Sequence, residues 1–264
     1  MSSIIYFPGP RSWTAHPQYD RDGNYYNCST AYTNGVYQIV KIPNKMKENE
    51  ATNEGIEIIS SLPYQKAPAY YHSFAMTENY FVFIESSLFL AHPLKMLLMK
   101  IMNWTYVDMF YFESNVKSRL HLVERKSGKV AGVFSTEAFM CFHQINAYEK
   151  ENELVFDMCG YNDASIMQTL YLQSLRGEKK AGKMAIPEIR RYRLPLGKIS
   201  PENPVHMELE KDANGRDYES IRMGVELPRI NYEKYNGREY SFVYGIAPSQ
   251  QYEGSTGVSK VRAR

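Results

Sequence analysis

Short apolar or alternating runs recur along this chain between turn residues, and few windows hold a helical period for long. Asp20-Arg21-Asp22-Gly23-Asn24 reads as a turn that opens a strand over Tyr25 to Thr30, and Val36 to Ile42 reads as a second strand closed by Pro43-Asn44. Asn79 to Glu85, NYFVFIE, is almost wholly apolar, the signature of a strand buried on both faces. Arg119 to Glu124 and Lys129 to Phe134 flank Lys126-Ser127-Gly128, a hairpin signal. Further strands are expected over Glu153 to Cys159 and Tyr240 to Tyr244, with residues 176 to 220 as strands joined by exposed loops. Strands at short intervals with turns between them mean a sandwich, a barrel or a propeller.

Two segments break the pattern. Leu88 to Trp104, LFLAHPLKMLLMKIMNW, is dense in Leu and Met with Lys95 and Lys100 as its only full charges. It reads either as a buried helix or as an interfacial segment lying on a membrane with its lysines at headgroup level. Asp163 to Leu175 carries an i, i+3, i+4 apolar spacing, which predicts helix packed on the core.

Composition sharpens the fold class. The 264 residues include 22 Tyr and 12 Phe, and such residues fit pleated, half-buried surfaces, so an all-β protein is favoured. A net charge of +2 spread over the whole chain offers no field for nucleic acid. Three cysteines, Cys28, Cys141 and Cys159, stand at no metal-like spacing, which argues for buried free thiols and a reducing, cytoplasmic setting. Met1 to Gly9 lacks a basic region followed by an apolar one, so no signal peptide is expected, and no apolar run reaches the roughly 18 residues of a membrane span.

No phosphate-binding GxxxxGK[ST], GxSxG elbow, HExxH or CxxC is present, which leaves the histidines. Of His16, His72, His92, His121, His143 and His206, three share a context. His16 in Trp13-Thr-Ala-His-Pro17, His72 in Tyr70-Tyr-His-Ser-Phe74 and His143 in Cys141-Phe-His-Gln-Ile-Asn146 each precede an expected strand. In a propeller the innermost strand of each blade lines the axis, so positions 56 and 71 residues apart can converge, and neutral imidazoles there would suit Fe, Zn, Cu or Ni. Ordinary hydrogen-bonded or surface histidines are the competing reading.

The blocks TAHPQYDRDGNYYN, YYHSFAMTENYFVFIE, FHQINAYEKENELVFDMCGY, PEIRRYRLPL and VELPRINYEKYNGREYSFVYG, in this order from about residue 12 to 245, resemble the carotenoid cleavage oxygenase family. The likeness is to its animal branch of β-carotene oxygenases and retinoid isomerohydrolase. It implies an incomplete seven-bladed β-propeller, its central blades, with short helical insertions, one Fe2+ on the axis and an apolar tunnel for a carotenoid or retinoid. It also implies scission of a carotenoid C=C bond by O2 to apocarotenoid aldehydes. The alternatives are an isomerohydrolase acting on a retinyl ester, or a non-catalytic carotenoid-binding or truncated product.

Carried over residue by residue, the resemblance makes His16, His72 and His143 iron ligands and Glu226 the carboxylate behind His143. It places Tyr70, Phe142 and Tyr161 on the wall of the substrate cleft. Gln144 stands where the family commonly has a second histidine; the ligand is the first of that pair. The family's fourth histidine and its two other outer glutamates have no counterpart here, so the chain is expected to be a fragment of reduced or no activity. The propeller domain is expected over residues 1–245, with a divergent, disordered tail over 246–264, and Leu88 to Trp104 is expected to give peripheral membrane contact.

Overall fold

Alternation of buried side chains, not helical periodicity, organises the molecule, seen in a computed structural model that describes residues 11–44, 56–91, 101–102, 104–178, 185–248 and 256–263. In chain order the strands are β1 Arg11–Trp13, β2 Gln18–Tyr19, β3 Tyr25–Ala31, β4 Val36–Ile42, β5 Glu57–Pro63, β6 Ala75–Met76 and β7 Tyr80–Glu85. There follow β8 Leu88–Leu90, β9 Phe110–Phe112, β10 Ser118–Glu124, β11 Val130–Thr136, β12 Met140–Lys150 and β13 Glu153–Tyr161. The last are β14 Glu188–Pro195, β15 Val205–Glu208, β16 Glu219–Met223, β17 Glu226–Arg229, β18 Phe242–Pro248 and β19 Thr256–Arg262. Among the described residues helices are few and short, so the fold is all-β.

The strands form antiparallel meanders taken in turn along the chain. The first sheet runs β1-β3-β4-β5, with β2 also on β3; the second runs β6-β7-β10-β11, with β15 added parallel to β11. The third runs β12-β13-β14-β16, the fourth β17-β18-β19, and β8 pairs with β9 alone. Each sheet is buried against the next, and the period of two shows why. From β7, Phe81 and Phe83 meet Tyr37 and Ile39 of the first sheet, while Val82 and Ile84 meet Phe156 and Met158 of the third. From β13, Leu154, Phe156 and Met158 face back to the second sheet while Val155 and Cys159 face Val243 of the fourth and the Val225 and Tyr240 side chains beside its strands. Burying a large apolar side chain stabilises by about 1.5–3 kcal/mol, so a strand apolar on both faces is strongly favoured between two sheets. Gly128 closes the β10–β11 hairpin at φ +70°, and a Cβ there would lie 1.9 Å from the Ile59 carbonyl oxygen, so only glycine fits.

Three expectations are corrected. Leu88 to Trp104 does not open as a helix: Leu88–Leu90 is strand β8, buried and laddered to β9, because its side chains fill both faces and leave no helical stripe to satisfy. Residues 92–100 and 103 of that segment lie outside the described residues, while Ile101 and Met102 are exposed. Asp163 to Leu175 forms two short helices, Ser165–Thr169 and Leu172–Leu175; Ile166 and Met167 are buried, but Leu170, Leu172 and Leu175 face solvent. Strand replaces the irregular tail expected beyond Gly245: β18 runs on to Pro248 and β19 pairs along it. Val261 and Ala263 there alternate inward onto Val243.

Candidate metal centre

The first strands of the second, third and fourth meanders are neighbours, β12 packing beside β6 and β17. His16 lies between β1 and β2, and His72 lies just before β6. His143 is within β12, not ahead of it, at a bulge where the register against β13 breaks between Cys141 and Gln144. Such a bulge re-aims one side chain out of the ladder's alternation.

These three side chains come together. Their ring centroids are 4.6 Å (His16–His72), 5.1 Å (His16–His143) and 5.0 Å (His72–His143) apart. One ligand atom from each lies within 4.8 Å of the others, and among the described residues this is the one group of its kind. The Nε2 atoms of His16 and His72 face each other at 2.9 Å. Nitrogens bound at about 2.1 Å to one ion would stand about 3.0–3.4 Å apart, so a small outward adjustment accommodates a metal.

The electrostatics suit that use. Burial, then the neighbouring His143 and His16, push the His72 imidazole down to about 4, and burial with His143 and Arg229 lowers His16 likewise. Both rings are therefore neutral near pH 7 and keep a lone pair for a cation. Behind His143, the Glu226 carboxylate accepts its Nδ1–H at 2.8 Å, which leaves Nε2 free to face the other two rings. Glu226 is itself fixed by the Leu227 N–H, and Leu227 holds a left-handed φ of 53° to deliver that bond. The Nδ1 of His72 meets the Tyr70 hydroxyl at 3.0 Å. An all-nitrogen donor set with one carboxylate behind it, and with the free thiols of Cys28, Cys141 and Cys159 buried, fits a divalent transition metal.

Beside the histidines stands an aromatic wall. Tyr70 and Phe142 have centroids 6.1 Å apart, Phe142 and Tyr161 5.9 Å, and His72 and Phe142 5.7 Å. Burial pushes the Tyr70 and Tyr161 phenols up, so both stay un-ionised at neutral pH. A cavity of about 220 Å³ reaches His72 past Tyr70, Trp13 and Phe110. A larger one of about 690 Å³ lies elsewhere, among Glu153, Arg193, Lys198 and Arg216, and is charged.

The sequence reading missed the polar groups that hold the loops. Gln18 donates to the Phe74 carbonyl at 2.9 Å, and Tyr232 donates to Gln18 at 2.8 Å. Buried Asn146 bonds the carbonyls of Tyr235 and Arg238 and the Gly237 N–H, docking that turn on β12. Their positions within the quoted blocks are the only signal that could have singled them out.

Comparison with known proteins gives a consistent result. Residues 3–263 match the family model described as retinal pigment epithelial membrane protein. The chain is 34% identical over 260 residues to beta,beta-carotene 15,15'-dioxygenase of Gallus gallus, covering 88% of this chain and 48% of that one. It is 32% identical over 265 residues to the mitochondrial carotenoid-cleaving dioxygenase of Mustela putorius furo, again covering 88% and 48%. The chain thus spans about half the length of the curated relatives it matches. Among solved structures, cobalt-substituted Synechocystis apocarotenoid oxygenase shares the fold, with a TM-score of 0.65 at 16% identity over 96% of this chain and 50% of that one.

Proposed function

The chain belongs to the retinal pigment epithelial membrane protein family, which its carotenoid-cleaving relatives share, and from that premise we propose that it carries part of the metal centre and substrate wall of a carotenoid-cleaving dioxygenase. The observation that carries the reading is the convergence of His16, His72 and His143 with Glu226 behind the third. On this reading the meanders are neighbouring blades of a seven-bladed propeller with the histidines on its axis.

Ferrous iron, when bound there, supplies the place where O2 reacts with a conjugated C=C bond, one oxygen atom entering each of two carbonyl products. His16, His72 and His143 present neutral nitrogens to it. Glu226 accepts the His143 Nδ1–H, which fixes the tautomer and makes the facing Nε2 a better donor. Tyr70, Phe142 and Tyr161 offer uncharged aromatic faces that exclude water and hold a hydrocarbon polyene beside the histidines. The exposed Ile101, Met102, Tyr106, Leu170, Leu172 and Leu175 supply the lipid contact expected of a protein that takes up such a substrate. Among the described residues, no helix is long and apolar enough to cross a membrane.

The test is metal content together with product. Protein reconstituted with ferrous iron should hold about one ion per chain and release from β-carotene under air at most a small fraction of the aldehyde that a full-length relative releases, and His143→Ala should lose the iron and any residual activity. Retention of iron by His16→Ala, His72→Ala and His143→Ala alike would refute the site. Conversion of a retinyl ester to an isomerised alcohol, with no aldehyde from carotenoid, would favour the isomerohydrolase instead.

A further inference from the structure

Two hydroxyl groups, each hydrogen-bonded to main-chain atoms, connect the backbones from which the three rings project. Thr14 Oγ1 accepts the His16 backbone N–H at 2.9 Å and donates to the His72 carbonyl. Ser73 Oγ accepts the Gln144 N–H at 2.8 Å and donates to the Phe142 carbonyl at 2.8 Å, so it grips the residues on either side of His143. Thr14 is 6% exposed and Ser73 3%, so water does not compete for these bonds. Because His72 and Ser73 are consecutive, the two hydroxyls make one continuous path through the backbones of all three histidines.

The bonds fall where the ladders provide none. His16 and His72 lie outside any strand, and Phe142 and His143 sit in the bulge where β12 loses register with β13. Buried backbone groups at such places must find another partner. A hydroxyl is the smallest side chain that both donates and accepts, so a single one can bridge an N–H and a carbonyl from separate segments. Metal distances tolerate only about 0.2 Å, which the loops and the bulge would not hold unaided.

We infer that Thr14 and Ser73 are positioning residues that set the spacing of the three histidines by tying their backbones together. As a statement about metal affinity, this rests on the reading of the three histidines as a metal site; as a statement about backbone order, it stands alone. The test uses the full chain with Co2+ as probe, followed by its visible absorption, and amide hydrogen exchange of the metal-free protein. Thr14→Val and Ser73→Ala should each weaken Co2+ binding about tenfold and shift the cobalt bands, as loss of an outer contact to a metal site does. Thr14→Ser, which keeps the hydroxyl, should stay within about threefold of the parent. Exchange at the His16 amide should speed up in Thr14→Val, and at Gln144 in Ser73→Ala.

Parental affinity and spectrum in both Thr14→Val and Ser73→Ala would overturn the inference, as would a Thr14→Ser loss equal to that of Thr14→Val. If Thr14→Val does not fold, Ser73→Ala and Thr14→Ser decide by the same criteria. Co2+ binding that is indifferent to His143→Ala would refute the metal reading itself. The exchange arm then still judges the tie, and unchanged protection at both amides would overturn it.

Discussion

Glu226 shows how much is invested in one hydrogen bond. Its carboxylate is held at 2.8 Å from His143 Nδ1, and the neighbouring Leu227 adopts φ 53°, a conformation that costs a non-glycine residue about 1–2 kcal/mol. Strain of this kind persists where the surroundings over-determine it, as around a binding site. Glu226→Gln should therefore weaken metal retention about 10–100-fold while leaving the urea unfolding midpoint of the metal-free protein nearly unchanged. Equilibrium dialysis against Co2+ checks the first part and circular dichroism the second; unchanged metal affinity would remove Glu226 from the site.

At the scale of elements, the two short helices and the turn before β9 are linked and each presents exposed apolar side chains, Leu172 and Leu175 on the second helix and Tyr106 on the turn. Tyr171 links them, its hydroxyl 2.8 Å from Thr105 Oγ1 and 2.9 Å from the Asp108 carboxylate. Leu172 is 57% and Leu175 65% exposed, so replacing both with Ser removes apolar surface without opening a cavity. Co-sedimentation with phosphatidylcholine vesicles should fall at least about fivefold in that double variant, at the roughly 25 cal/mol per Å2 that apolar contact contributes, with the unfolding midpoint unchanged; equal sedimentation would leave the patch without a lipid role. This surface also marks the limit of what the sequence discloses. NYFVFIE was legible as strand because both of its faces are buried, and Val36–Ile42 because turns bound it. The dense Leu/Met run beginning at Leu88 was not, since an apolar run without polar punctuation carries no period to distinguish strand from helix. The approach of three histidines was legible from the order of the blocks. Thr14 and Ser73 were not, because what they bond are backbone groups 58 and 71 residues away, and a backbone partner leaves no mark on composition.

Across the whole molecule, buried carboxylates join one sheet to the next. Glu85 of β7, wholly buried, accepts from Tyr37 Oη of the first sheet at 3.2 Å, the Gln65 N–H at 2.8 Å, Arg119 Nε at 2.7 Å and His121 Nε2 at 3.0 Å. Asp157 of β13 takes a bidentate pair from Arg191 at 2.8 and 2.7 Å and the Tyr240 hydroxyl at 2.6 Å from the chain leading into β18. Burial alone would raise Glu85, but the His121 hydrogen bond and charge, Arg119 and the Gln65 N–H hold it below its ordinary value. Burial lowers His121, against the pull of Glu85 and with the help of Arg119 and His206. Both signs run the same way. Below the ordinary 6.5 of histidine the unfolded chain takes up a proton that folded His121 resists, and below the ordinary 4.5 of glutamate it takes up one that Glu85 resists. Stability should fall as pH drops from 7 to 4, read as a declining urea midpoint. His121→Gln, which can still donate to Glu85, should flatten part of that decline between pH 6.5 and 5; an unaltered slope would assign the loss to other groups.

The histidines and Glu226 come from separate meanders, and β12 lies beside β6 and β17 without sharing a ladder with either. An ion held among them would act as a rivet through sheets between which, among the described residues, no ladder runs. At a free concentration a hundred times its dissociation constant, such a rivet adds about 2.7 kcal/mol to the folded state. Its release breaks contacts drawn from three separate sheets, so a chelator should strip it more slowly from the complete set of histidines than from a variant lacking any one of them.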